Sequence, residues 1–141
     1  MRSRILVGIQ FSAIAAIAAL GTIPVTPFSF LLCAFGVLLG LVSIIIMNFD
    51  NLRIRPEPKE NIRLVTAGPY RIIRHPMYIS VLLFSLSFIV DDPTVLLGAL
   101  FIVLFIALLA KMRIEERMLP EIFPEYRDYA KRTNRLIPYI F

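Results

Sequence analysis

The sequence has one cysteine, Cys33, and one histidine, His75. A lone cysteine closes no intramolecular disulfide, and one Cys with one His cannot assemble the thiolate or mixed Cys/His set of a structural zinc. No metal ligands are expected. Charge is scarce too: 18% of residues are charged, and neither 5–52 nor 75–110 contains a Lys or Arg. The 15 Lys and Arg form no compact basic face, so the net charge of +5 is not read as a nucleic-acid footprint.

Apolar sequence fills these gaps. Hydrophobic residues make up 58% of the 141 and mean hydropathy is +0.79, against roughly 45–50% apolar residues in a soluble domain. The length suits a single domain, 1–141. Four apolar runs stand out at 5–23, 28–47, 77–90 and 95–110. The first two come close to the ~20 residues that cross ~30 Å of hydrocarbon; the last two are shorter. The first run, following Arg2 and Arg4, also resembles a signal peptide, but it is long enough to span and further runs follow, so it is expected to remain as a span. Pro24–Pro27 and Asp91–Thr94 would turn the runs into two hairpins, with Thr94 capping the fourth helix. Gly36 and Gly40 form a GxxxG pattern that, with Ala15, Ala16 and Ala19, permits close helix approach and leaves a helix pair between copies open. Gln10, Ser12, Ser29 and Ser43 are read as interhelical hydrogen-bonding groups.

The expected fold is therefore an all-α integral membrane protein of about four transmembrane helices, with an interfacial loop and a C-terminal helical tail. With four spans, Arg2, Arg4, the six Lys/Arg of 53–74 and the seven of 111–135 share one side, and the other side has only Asp91 and Asp92. The positive-inside rule then places the termini and the loop in the cytoplasm. Pro56 and Pro58 argue against a long helix in that loop. The tail continues the fourth helix, is expected to be interrupted at Pro120 and Pro124, and carries Tyr126, Tyr129, Leu136, Ile137, Tyr139 and Phe141 as a side suited to the interface.

Candidate chemistry gathers in 65–80, VTAGPYRIIRHPMYIS. Pro76 pushes His75 out of the helical region and fits the first helical position, leaving a helix start flanked by Arg71 and Arg74 that attracts carboxylate or phosphate. The plainer reading is a membrane helix start whose arginines meet lipid phosphates. Glu115 and Glu116 lie toward the same side on the fourth helix, where the dipole disfavours carboxylates. Lys111 and Glu115 are spaced for an i,i+4 ion pair, yet the hairpin also brings Glu115 beside His75.

Taken in order, Gly68-Pro69-Tyr70, Arg74-His75-Pro76-Met77-Tyr78, Glu115-Glu116, Phe123-Pro-Glu-Tyr126, Tyr129 and Arg135-Leu-Ile-Pro138 resemble the integral-membrane methyltransferases: isoprenylcysteine carboxyl methyltransferase and its phospholipid N-methyltransferase relatives. The resemblance covers 62–138. It implies S-adenosylmethionine as cofactor, held by segments 62–80 and 111–138: Ile62, Arg63, Leu64, Val65, Tyr70, His75, Pro76, Met77, Tyr78 and Glu115. It also implies a lipophilic acceptor arriving from the bilayer and met by Lys111, so that Glu115 and Lys111 carry the reaction. The isoprenylcysteine enzymes resemble one another in having arginine where Lys111 stands. Lysine offers no bidentate fork, which weighs against a prenylcysteine carboxylate, but an isoprenylcysteine-like carboxylate, a phospholipid amine and a small lipophilic thiol or acid all stay open as acceptors. The same RHPxY run resembles the NADPH-dependent membrane sterol reductases, which are much longer chains. A membrane protein that only binds lipid is the non-enzymatic alternative.

Overall fold

The computed structural model describes residues 2–51 and 63–138, with side chains from 4–47 and 63–138. Among these the chain is all-helical: α1 (Arg2–Leu20), α2 (Pro27–Asn51), a 3-10 turn (Gly68–Arg71), α3 (Pro76–Ser87), α4 (Val95–Ile122) and α5 (Tyr126–Arg132). An isolated parallel bridge between Ile73 and Asn134 is the only β pairing among the described residues. Ile62, expected to touch the cofactor, lies outside them, as do Pro56 and Pro58.

Two stretches, Pro27–Met47 and Val95–Ile122, are long and apolar enough to cross a membrane, whereas Arg4–Leu20 and Pro76–Ser87 are shorter. At 1.5 Å per residue α3 reaches only about 18 Å. The first run ends as helix at Leu20, not residue 23, because the backbone of Gly21 sits against the Phe88 carbonyl, where a Cβ would fall 2.5 Å from that oxygen. Thr94 caps α4 as expected, its hydroxyl accepting from the Leu97 N–H at 3.2 Å.

The helices alternate in direction, and the turns 21–26 and 88–94 meet at one end. The Thr22 N–H donates to the Phe88 carbonyl, and Asp91 ties the turns together. Its carboxylate accepts from the Ser29 and Thr26 hydroxyls, each at 2.6 Å, and from the Val25 and Thr26 N–H groups. These bonds hold the Asp91 carboxyl below its ordinary range.

Three expectations change. The first two helices do not pack as a hairpin: α2 packs chiefly on α3, and α1 chiefly on α4. Gly36 and Gly40 explain the first pairing, since a Cβ on Gly36 would fall 2.8 Å from the Phe84 nitrogen and one on Gly40 would fall 3.1 Å from Ser80 Oγ. The GxxxG face is therefore occupied within the chain and is not left for a second copy. α4 runs through Pro120 to Ile122. That proline cannot donate to the Glu116 carbonyl, yet the helix continues past it and the ladder closes with Phe123 N–H to the Leu119 carbonyl at 2.8 Å. Glu115 and Glu116 thus lie about two turns inside the helix, and the dipole argument, which applies to the last turn, does not reach them.

The core joins Ala13 and Ile17 of α1 to Leu97, Leu104, Leu108 and Met112 of α4, with Tyr78, Ile89 and Leu136. The outer faces are strongly apolar: Phe35 is 59% and Ile45 75% exposed on α2, and Ile102 and Ile106 are exposed on α4. A continuous exposed apolar face of this kind suits contact with lipid.

Candidate active site

The end of α4 away from the turns carries a ladder, a guanidinium clamp and a cleft. The ladder forms because Pro76 occupies the first position of α3 and leaves His75 with φ −124° and ψ 56°. The stretch before the helix is thereby extended and its N–H groups are free to pair. They pair with the tail: Arg74 N–H to the Asn134 carbonyl at 2.7 Å, His75 N–H to the Arg135 carbonyl at 3.1 Å, and Asn134 N–H back to the Ile72 carbonyl.

Arg74 clamps the ladder to α4. Its Nε donates to Glu116 Oε1 at 2.8 Å, and its Nη1 to the carbonyls of Ala130 and Thr133. Arg135 Nε reaches Glu116 Oε2 at 2.8 Å, so both oxygens of Glu116 are engaged. Burial opposes ionisation of Glu116, yet His75, Arg74 and Arg135 outweigh it and bring the carboxyl down to about 2. Arg74 is therefore committed to the protein's own groups, not held ready at the α3 start for an external anion.

Glu115, one residue earlier, faces a different neighbourhood. The Tyr78 hydroxyl donates to its Oε2 at 2.7 Å, and His75 Nδ1 lies 3.7 Å from the same oxygen. The His75 ring stacks on Tyr78 with centroids 5.1 Å apart. His75 Nε2 is 3.5 Å from Glu116 Oε1, outside hydrogen-bond geometry, and is buried without a partner. Lys111 does not pair with Glu115; its Nζ sits over the Tyr78 ring, 5.2 Å from the centroid, at the distance of a cation–π contact.

Beside Glu115 opens a small cleft of about 90 Å³ with an open mouth. Of the residues expected to hold a cofactor, Arg63, Leu64, Val65, Tyr70, His75 and Glu115 line it. Pro76, Met77, Tyr78 and Lys111 do not. Pro76 is fully buried and Met77 packs on the core, so the first turn of α3 is closed off. Tyr78 stands behind Glu115 and aims it.

Arg74, Leu119, Phe123, Tyr126 and Tyr129, inside the expected segments but not named as cofactor contacts, complete the wall with Met47, which lies outside them. Phe123, Tyr126 and Tyr129 pack as a cluster with Leu64 and Leu119 against it. Their three-residue spacing in the sequence was the signal for one aromatic face. Met47 had no signal beyond ending an apolar run. The Tyr129 hydroxyl donates to the Tyr70 carbonyl at 2.6 Å, joining opposite walls. Burial pushes the Tyr129 phenol up to about 12 and raises those of Tyr70 and Tyr126 further, so all three remain protonated donors. The Tyr126 hydroxyl is buried without a partner. Among the described residues no group of three or more His, Cys, Asp or Glu side chains converges where a metal ion could sit.

The profile of the phospholipid methyltransferase family matches residues 25–126. The chain belongs to that family. The matched span runs from the turn before α2 through the acidic pair on α4 to Tyr126, and so takes in most of the cleft. Among curated proteins, the chain is similar to the cobalt-zinc-cadmium resistance protein CzcN of Cupriavidus metallidurans, at 36% identity over 81 residues, 57% of this chain and 38% of that protein. It is also similar to the nickel-cobalt-cadmium resistance protein NccN of Alcaligenes xylosoxydans xylosoxydans, at 32% identity over 81 residues with the same coverage. The match thus spans well under half the length of either relative. No solved structure matches the chain.

Proposed function

We propose that the protein is an S-adenosylmethionine-dependent methyltransferase that modifies a lipophilic acceptor at the membrane surface. The observation that carries this reading is a carboxylate, Glu115, set at the edge of an aromatic cleft beside two buried polar atoms without partners, His75 Nε2 and Tyr126 Oη. A cationic cofactor with a polar amino-acid end and a flat base fits that donor set. The carboxylate attracts the positive charge, the aromatic faces of Tyr70, Phe123, Tyr126 and Tyr129 receive flat and cationic groups, and the two orphaned atoms await hydrogen-bond partners.

When bound, S-adenosylmethionine supplies a methyl group activated by its sulfonium. Transfer is a displacement, and alignment of the reacting atoms can lower the barrier by roughly 7–11 kcal/mol. The chain's own residues supply that alignment. Tyr78 holds Glu115 Oε2 in place, and Glu115 would pair with the ammonium of the cofactor's amino-acid end, a charge that S-adenosylhomocysteine also carries. The tail, bonded through residues 134 and 135 to residues 72, 74 and 75, holds the wall that Tyr126 and Tyr129 contribute to the cleft. Lys111, half-buried over the Tyr78 ring and outside the cleft, is placed to meet the acceptor's head from the lipid side. A lysine there suits a phosphate-bearing or singly contacted head better than one requiring a bidentate fork.

On this reading all four runs enter the membrane, α3 and the shorter α1 with their ends near the interface, and the site and termini face the cytoplasm. The meeting of both turns at one end, where the only charged residues are Asp91 and Asp92, supports that orientation. The metal-resistance names of the two relatives identify no acceptor for this chain. Calorimetric titration of the purified protein tests the cofactor: S-adenosylhomocysteine binds and NADPH does not. Binding of NADPH instead would assign the chain to reductase chemistry, and binding of neither would leave a lipid-binding protein.

A further inference from the structure

A second groove lies between the 3-10 turn and the tail, lined by Thr66, Gly68, Arg71, Arg132 and Thr133, with Tyr129 as the wall it shares with the cleft. Arg71 and Arg132 line this groove and not the cleft, and among the described residues no carboxylate lines it. The Arg71 side chain enters no hydrogen bond or ion pair among the described residues. Arg132 spends only Nε, on the Asp128 carbonyl at 3.3 Å, while the Asp128 carboxylate is held by Lys131 at 2.8 Å. Two guanidinium groups thus face the groove, Arg71 without a partner among the described residues and Arg132 with the Asp128 carboxylate near it but bonded to Lys131.

The depth of the groove is fixed by Gly68. Its φ of +57° favours glycine, and a Cβ there would collide with the Ile46 side chain. Ile46 belongs to the apolar stretch Pro27–Met47. The 3-10 turn therefore rests on the last apolar turn of α2, which puts Arg71 at the level where hydrocarbon gives way to headgroups. Ile72 is 53% and Ile137 51% exposed, one on the turn and one on the tail. Exposed isoleucines on the same two segments as the groove's guanidinium groups combine apolar and cationic surface, as an interface with lipid requires.

We propose that this groove holds the headgroup phosphate of an anionic phospholipid, with Arg71 and Arg132 as its partners and Ile72 and Ile137 seated against the first acyl carbons. A zwitterionic lipid carries an ammonium beside its phosphate, and no carboxylate among the described residues lines the groove to receive it, so the net anionic headgroup is favoured. This site rests on membrane embedding and is independent of the cofactor cleft. Bound lipid would brace the 3-10 turn and the tail, whose Tyr70 and Tyr129 are already joined across the cleft.

Native mass spectrometry of the full chain in detergent, titrated with phosphatidylglycerol or with phosphatidylcholine of the same acyl chains, tests the proposal. The expected result is preferential retention of phosphatidylglycerol, weakened about 25-fold in the double variant Arg71→Gln/Arg132→Gln, at about fivefold per guanidinium. Arg71→Gln alone breaks no bond within the protein and should weaken binding about fivefold, which keeps the test open if the double variant folds poorly. Sodium phosphate at matching concentration should leave the bound lipid in place. Equal retention of both lipids, retention unchanged in the variants, or displacement of the lipid by free phosphate would each overturn the proposal. Affinity for S-adenosylhomocysteine, measured on the same samples, should be the same for the variants and the wild type, so a failure of the cofactor reading would register separately.

Discussion

At the turn end, Asp91 gives its carboxylate to two hydroxyls and two backbone N–H groups of the neighbouring turn. At the other end, two adjacent carboxylates divide the work. Glu116 resembles Asp91: both oxygens are taken, by Arg74 and Arg135, and its role is to fasten α4 to the tail and to the approach to α3. Glu115 is bonded only through Oε2, to Tyr78, retains 31% of its side-chain exposure and looks into the cleft. Acidic residues of nearly identical chemistry thus serve as fasteners where every oxygen is satisfied, and one held by a single oxygen beside an open cavity is the group we propose for ligand binding.

The comparison is most severely tested at Arg74. Arg74→Ala leaves Glu116 and the carbonyls of Ala130 and Thr133 without their shared donor, and breaking a buried pair from one side typically costs about 3–5 kcal/mol. A large fall in melting temperature is expected, with cofactor affinity lost along with the fold of the site; an unchanged melting temperature would remove Glu116 from the class of fasteners. Glu115→Gln should do the reverse. It keeps the shape and removes the charge, so S-adenosylhomocysteine should bind roughly ten- to a hundredfold more weakly, the worth of a charge-assisted hydrogen bond, while the melting temperature stays near that of the wild type. Asp91→Asn should lower the melting temperature by less than Arg74→Ala does and leave cofactor affinity unchanged, since it lies at the opposite end; a change in affinity would couple the two ends.

The smallest effect is acid sensitivity. The Glu116 carboxyl is lowered in the folded state from an ordinary value of 4.5 to about 2, so its ionised form stabilises the fold above the unfolded value and that contribution fades as pH falls from about 4.5 toward about 2. Asp91 is lowered as well and acts in the same direction. Melting temperatures recorded across this window should fall with acid in the wild type and fall less steeply in Glu116→Gln; parallel slopes would mean that Glu116 is not held ionised by its partners.

Much of this was legible in the sequence because it depends on local chemistry. Pro76 fixed the start of α3 and the non-helical backbone of His75; Thr94 announced its cap; the apolar runs marked α2 and α4. The resemblance of 62–138 to membrane methyltransferases pointed to the family that the chain belongs to, and six of the expected cofactor residues line one cleft. What stayed hidden depends on partners that spacing does not name. Gly36 and Gly40 signalled close approach without saying that α3, and not α1 or a second copy, would fill it. Pro120 read as a break because its cost was judged without the helix end that absorbs it. Only the resemblance set Glu115 apart from Glu116; the residues gave no physical reason until Arg74 and Arg135 were seen to claim Glu116 alone.

Hydrogen–deuterium exchange with and without S-adenosylhomocysteine tests the central claim most directly, because it reports where the ligand sits as well as whether it binds. Slower exchange is expected together in segments 63–75 and 119–134, the two walls of the cleft, with the turns at 21–26 and 88–94 unchanged and the whole effect absent in Glu115→Gln at the same ligand concentration. Protection elsewhere in the chain, or in neither wall while the ligand is bound, would contradict the assignment of this cleft.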